Sequence, residues 1–541
     1  MTHKFLSRSS ERTGSRWLTS SASGVLAATL GLLGATLPSG GGASADTNQL
    51  VIVTSTGTTS PASAVLQVGG TIVTQYTIIN GVEASVPSLE EPVLAAMPGI
   101  IVTPDVTVSV QSTTVSTGPH TPSDAFLGQT GATQLAQQGD TGQGVTVAVL
   151  DTGIENLPDF SGRLRGGVDL SGENNPYQDS YGHGTFVAGL IAGNGASSGG
   201  QYSGEAPGAG LVSVKVAGSS GSTRLGTIIS GLQWTVNKAS TYGIGVLNIS
   251  LGFQPSQSTV NNPLDMAVEK VWNSGIAVVA SAGNAGPFNG TILSPGDDPL
   301  VITVGSLDDL AQAVVSNDEM NDFSSAGPTS PDGWVKPDLV ASGRSVVSLA
   351  APGSTIYNNN PSARIGSGNF VGSGTSFSAA ITSGAAALVL AQRHGLTPNQ
   401  VKGVLLANTA QGPVGNPFVD GHGDLNAYAA VTSSTITLNQ STAGLVATQN
   451  GTTVSLSPTG TADTWNPSLW SGSEWNGSEW NGAAWNGSEW NGSEWNGFTF
   501  NGAAWNGSEW NGAAWNGSEW NGAAWNGAAW NGSEWNGSSW S

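Results

Sequence analysis

Between residues 124 and 432, short runs rich in valine and isoleucine alternate with stretches of helical spacing. No other feature restricts the fold as much. "GVTVAVLDTGI", "GLVSVKVAG", "IGVLNISLG", "GIAVVASAGN" and "PLVITVGSL" are near-continuous apolar strands. A strand with one wet face alternates apolar and polar residues. A run apolar throughout must be covered on both faces, as in a parallel sheet with helices on each side. Helical spacing lies between the strands in "STRLGTIISGLQWTVNKAS" and "NPLDMAVEKVWNSG". "LTPNQVKGVLLANTA" opens with a capping-box pattern: Thr397 as cap, Pro398 in the first turn and Gln400 three residues on. The expected class is α/β, a doubly wound and mostly parallel sheet with helices on both faces, assigned to residues 116–432.

The flanking segments differ in kind. Residues 1–45 read as an export signal. Lys4, Arg8, Arg12 and Arg16 precede the apolar run "GVLAATLGLLGATL", and Ala43-Ser44-Ala45 forms an A-x-A cleavage site. The run is shorter than the ~20 apolar residues of a membrane span. Its arginines are not adjacent, which points to general secretion and an extracellular mature protein. Residues 46–115 read as a small α+β unit with strand-like "LVIVTS", "TIVTQYTII" and "GIIVTPDVTVSVQ". Between them "SLEEPVLAAMPG" predicts one helix, capped by Ser88 and stopped near Gly99. "STTVSTGPHTPSDA" then forms a Ser/Thr/Pro-rich linker and cleavage region.

The chain has no cysteine, which excludes disulfides, thiolate metal sites and cysteine nucleophiles. With 36 Asp and Glu against 15 Lys and Arg, its formal charge is −21. That argues against nucleic acid or an anionic membrane as the main partner, since both reward Lys and Arg.

After a linker at 433–464, residues 465–541 repeat "WNGSE" or "WNGAA" with a strict period of five, and Phe500 replaces one Trp. Five fits neither helix nor strand, because it scatters the tryptophans around one and alternates them across the other. A turn at each Asn-Gly resolves this. The unit resembles pentapeptide-repeat β-helices, which would make about four square coils. A flexible aromatic ladder for a cell-wall or glycan ligand, or a disordered spacer, are the alternatives. Seven Glu and no Lys or Arg suggest no nucleic-acid site.

Three short motifs carry candidate chemistry. "LDTGI" ends an apolar strand and puts Asp151 at the carboxyl edge of the sheet, where open α/β folds hold ligands. A second D-T-G at Asp140 lies eleven residues earlier, too close to build the two lobes of an aspartic protease. "GHGT" places His183 between glycines that leave its ring accessible to a proton carrier's task. "GTSFSAAITSG" puts Ser376 before an apolar helical run, as a helix cap or as a nucleophile. It is not the G-x-S-x-G elbow of α/β-hydrolases, because Ser378 stands at the second glycine, and the order Asp, His, Ser is not theirs.

That order, with these flanks, resembles the subtilisin-like serine peptidases, the subtilases. "VAVLDTGI", "NPYQDSYGHGTFVAG", "NISLG", "SAGNAG", "FSSAGPTSPDGWVKPDLVASG" and "GTSFSAAITSGAA" match the family's motifs in sequence order. The resemblance implies Ser376 as nucleophile, His183 as base and Asp151 as its orienting acid, with Asn284 in the oxyanion hole. It places Ser250, Leu251, Gly252, Ala282 and Gly283 along the substrate pocket. No charge lies in those stretches, so large apolar residues are expected before the scissile bond. Residues 46–115 resemble the family's propeptide, a chain's own inhibitor and folding aid. No cofactor is required for the chemistry. Asp159 resembles one ligand of the family's structural calcium, but "NGASSGGQYSGEAP" does not resemble the loop that completes that site. Phe377, Ala380 and Ser342 depart from the family's Met and two prolines, which predicts altered packing with activity kept. The implied substrates are proteins and peptides. A surface or wall-binding protein whose main function lies in the repeat is the alternative.

Overall fold

The computed structural model describes residues 48–110 and 121–433, and the backbone of short strands between 445 and 540. The export signal, most of the cleavage region and most of the 433–464 linker lie outside the described residues.

The N-terminal unit contains β1 (Asn48–Ser55), α1 (Pro61–Gln67), β2 (Thr71–Tyr76), β3 (Gly81–Pro87), α2 (Glu91–Ala95) and β4 (Ile100–Pro104). Its antiparallel sheet runs β2-β3-β1-β4, and Val51 faces Ala84 in the register. Period-two alternation divides β1 between two cores. Val51 and Val53 pack with Val65 and Leu94 inside the unit, while Ile52 joins the large core beyond it. Two elements differ from the sequence reading. Helix α1, capped by Ser60 with Pro61 in its first turn, was not expected. Helix α2 starts at Glu91, with Glu90 and not Ser88 at the cap position. Pro92, which lacks an N–H, is tolerated only in a first turn and so fixes the start there.

The larger unit follows β5 (Thr107–Val110). It contains β6 (Thr146–Asp151), β7 (Leu164–Asp169), α3 (His183–Ala192), β8 (Gly210–Lys215), β9 (Ser222–Arg224) and α4 (Leu225–Tyr242). Next come β10 (Ile244–Ile249), β11 (Leu251–Gly252), α5 (Pro263–Asn273), β12 (Ala277–Ser281) and β13 (Ile302–Asp308). The series ends with β14 (Glu319–Met320), β15 (Leu339–Ser342), α6 (Thr375–Gln392), α7 (Pro398–Ala407) and α8 (Ala427–Thr432). The main sheet runs β7-β8-β6-β10-β12-β13, parallel throughout, and β13 also pairs β15 in parallel and β14 antiparallel. Strand order reverses around β6, so the carboxyl ends of β6 and β10 open the crevice where such folds bind ligands. The capping box at Thr397 and Gln400 forms as expected. Helix α6 crosses β10, β12 and β13, and every residue from Thr375 to Val389 is buried. A helix enclosed on all sides has no polar stripe, which explains its run of alanine, serine and glycine.

In the repeat, two- and three-residue strands pair in parallel with the strand three units further on: Trp475 with Trp490, then Trp505, Trp520 and Trp535. Three ladders result. The coil therefore closes after three units and not after the four of a square β-helix.

Candidate active site

Asp151 is the last residue of β6 and is fully buried. His183 opens α3 directly after Gly182, whose φ of 107° favours glycine. A Cβ on Gly184 would lie 2.2 Å from the Gly153 carbonyl oxygen, so only glycine lets this turn approach the end of β6. That approach brings His183 Nδ1 to 2.8 and 2.9 Å from the two Asp151 carboxylate oxygens. An ionised carboxylate only accepts, so Nδ1 carries the proton and Nε2 keeps its lone pair. Nε2 is buried with no hydrogen-bond partner. Such an orphan costs stability and calls for a functional reason.

Asp179 fastens the two segments together, although the sequence reading passed over it as part of the run before the histidine. Its carboxylate accepts from the Gly182 and Thr185 N–H groups, each at 2.7 Å, and from Thr152 Oγ1 at 2.8 Å. Thr152 Oγ1 in turn accepts from Gly184 N–H at 2.9 Å. Burial pushes the Asp179 carboxyl up, and these donors oppose that shift.

Ser376 is the second residue of α6, where backbone N–H groups lack helical partners. Its hydroxyl donates to the Ser250 carbonyl at 3.3 Å. Ser250 Oγ donates back to the Ser376 carbonyl at 3.2 Å and accepts from Asn248 Nδ2 at 2.9 Å. The next residue, Phe377, packs against Phe186 in a tilted pair with centroids 4.3 Å apart and lies 5.7 Å from the His183 ring, so the helix start and the histidine share one wall. Phe377 and Ala380 are both buried. Ser342 hydrogen-bonds Gln129 Oε1 through its hydroxyl.

Asn284 follows β12. Its Oδ1 accepts from the Thr375 N–H at 3.0 Å and from Thr375 Oγ1 at 2.9 Å, which fixes the amide plane and turns Nδ2 away from Thr375. Ala282 is buried and bonded to β13, and Gly283 donates to Thr375 Oγ1 at 3.2 Å. These two residues hold the Asn284 loop against the start of α6.

A peptide strand lies beside this cluster. β5 pairs antiparallel with β9 on one side and β11 on the other: Ser109 faces both Ser222 and Gly252, and Val110 faces Leu251. The Val110 N–H donates to the Gly221 carbonyl at 3.0 Å. Further anchors lie upstream. Asp105 accepts from the Gly226 N–H at 2.8 Å and from Arg224 Nε at 2.6 Å, placing an anion at the N-terminus of α4. Tyr76 donates to the Gly226 carbonyl at 3.0 Å.

Compared with known proteins, residues 142–430 match the subtilase family, over more than half of the chain. The chain belongs to the subtilase family. It is a subtilisin-like serine endopeptidase. Serine protease AprX of Bacillus subtilis is 43% identical over 296 residues, covering 54% of this chain and 67% of that one. Subtilisin E of the same organism is 37% identical over 308 residues, covering 56% and 70%. The crystal structure of fervidolysin from Fervidobacterium pennivorans matches with a TM-score of 0.57 at 22% identity. It covers 72% of this chain and 62% of that chain, and supports the fold.

Proposed function

We propose that this subtilase is secreted, cleaves proteins through Asp151, His183 and Ser376, and matures by cutting its own chain. The Ser376 hydroxyl turns from the Ser250 carbonyl to His183 Nε2, which takes its proton as the oxygen attacks the scissile carbonyl. Asp151 holds the Nδ1–H tautomer and stabilises the imidazolium, and His183 then protonates the leaving amine. Asn284 Nδ2 and the Ser376 N–H receive the oxyanion. Residues 465–541 serve as an anchoring module for a cell-wall or glycan ligand, a reading supported by three ladders that keep the aromatic positions in register, Trp throughout two and Phe500 once in the third.

The observation that carries this reading is strand β5, seated as a peptide between β9 and β11. Residues 46–110 then act as an intramolecular inhibitor. Among the described residues the antiparallel register ends with Ser109 opposite Gly252 and Val110 opposite Leu251, one residue short of Ser250, whose carbonyl contacts the Ser376 hydroxyl. We therefore assign the maturation bond to Gln111–Ser112. The N-termini of secreted wild type and Ser376→Ala test this. Wild type is expected to begin at Ser112 and the variant to retain residues from Asp46. If both keep the upstream unit and neither digests casein, the catalytic reading fails. A wild-type start elsewhere rejects the register alone.

The residue assigned before the scissile bond is long and uncharged, which broadens the apolar preference expected from sequence. The leaving-group side is more selective. A cavity of about 240 Å³ is walled by His183, Phe186, Phe377, Tyr181, Ile356 and Tyr357, and we assign it to the residue after the scissile bond because none of its walls comes from β9 or β11, the strands that flank β5. Burying a Leu or Phe side chain is worth roughly 1.5–3 kcal/mol, or about ten- to a hundredfold. Quenched-fluorescence peptides with Leu or Phe directly after the scissile bond should show kcat/KM about tenfold above those with Asp. Equal values would reject this assignment.

A further inference from the structure

Asp159 is the residue that the family resemblance links to structural calcium, and its surroundings here are built from hydrogen-bond donors. It is fully buried in the turn Pro158–Phe160. Ser197 donates to its carboxylate with its backbone N–H, at 3.1 and 3.3 Å from the two oxygens, and again with its hydroxyl. The carbonyls around the site are engaged too. Arg163 Nη1 donates to the Ala192 carbonyl at 2.7 Å and to the Ala209 carbonyl at 2.9 Å, while Nη2 donates to the Asp159 carbonyl. Calcium needs six to eight oxygens at roughly 2.3–2.6 Å with their lone pairs turned inward. Here those lone pairs meet N–H and O–H groups, and a fixed guanidinium would repel a second cation. Among the described residues no group of three or more carboxylates and histidines gathers to hold a metal.

We infer that Arg163, together with Ser197, takes the place of a structural calcium at Asp159. The guanidinium ties together three separate segments: the turn at Asp159, the carboxyl end of α3 behind His183, and the entry to β8. A planar fork with several donors can bridge three carbonyls at once, whereas a lysine ammonium is a compact point charge. The Asp159–Ser197 contact closes the fourth segment, the glycine-rich loop after α3. The inference concerns the scaffold and holds whether or not the catalytic assignments above are correct.

The test is scanning calorimetry on the full chain carrying Ser376→Ala, which prevents self-digestion, in EDTA and in millimolar calcium. The expected result is that any calcium-induced rise in Tm is the same with Asp159 and with Asp159→Asn. Arg163→Met should lower Tm by about 5 °C or more in both buffers, and Arg163→Lys by a smaller amount. A calcium-induced rise that Asp159→Asn abolishes would overturn the inference, as would an Arg163→Met chain as stable as its parent. If Arg163→Met fails to fold, Arg163→Lys and the calcium comparison on the intact chain decide the matter.

Discussion

Replacing Ser376 or His183 by alanine lowers kcat on a peptide substrate by about six orders of magnitude, and replacing both costs little more than either alone. That size is the one subtilisin itself shows and is carried over from it. The non-additivity follows from the geometry. His183 is worth its full contribution only while it has a hydroxyl to deprotonate, and Ser376 only while a base can reach it. Asp151→Asn should cost about four orders of magnitude for a different reason. Both Asp151 oxygens face Nδ1, at 2.8 and 2.9 Å. An amide nitrogen there would donate to the ring, forcing the proton onto Nε2 and removing the lone pair that serves as base. The variants cannot process themselves, so they are assayed after cleavage in trans by a trace of wild type that is then removed. Independent, additive losses at Ser376 and His183 would mean that the two do not act as a unit.

How much of this was legible beforehand depends on the range of the interaction. Asp151, His183 and Ser376 could be picked out because each stands where a strand ends or a helix begins, and such junctions are written in neighbouring residues. Asn284 came only through the family resemblance of "SAGNAG", since it stands three residues past the end of β12. The seat of β5 was not legible. Thr107–Val110 lies more than a hundred residues from both of its partner strands, and nothing in "TVSV" distinguishes a strand in its own sheet from one lent to another. Asp179 was hidden for a related reason: its value lies in three donors converging on it, not in its spacing from His183. Helix α1 escaped because "PASAVLQ" is too short for apolar periodicity. In the repeat, the period of five residues does not give the number of units per coil, which the strand pairing three units further on decides.

Buried charge is the least legible feature, because Lys and Asp are ordinarily surface residues. Asp338 is the case with the largest consequence for stability. Lys336 Nζ contacts its Oδ2 at 2.7 Å, Lys402 Nζ contacts its Oδ1 at 2.9 Å, and the Thr303 N–H donates to Oδ2 at 2.8 Å. All three charged side chains are almost wholly buried. The lysines also donate to the Val301 carbonyl, so the cluster joins β13, β15 and α7. Burial alone would push the Asp338 carboxyl up, but two ammonium groups and the N–H hold it below its usual range. Burial pushes Lys402 down to about 7, because the attraction of Asp338 and Asp298 offsets only part of its desolvation and Lys336 repels it. Asp338→Asn removes the carboxylate that both ammonium groups contact, leaves them only the attraction of Asp298, and should cost about 3–5 kcal/mol, measured by urea unfolding at pH 7 in the Ser376→Ala background. Adding Lys402→Met should recover part of that loss, because it removes one of the two ammonium groups. The pH dependence has a definite sign. The Asp338 contribution is complete above the ordinary carboxylate range and is lost as pH falls through its lowered folded value. Between pH 7 and Lys402's ordinary 10.5 the unfolded chain binds the extra proton, so stability rises with pH across that interval. Losses from Asp338→Asn and Lys402→Met that simply add would show that the two charges are not coupled, and the network would then reduce to separate hydrogen bonds to the backbone.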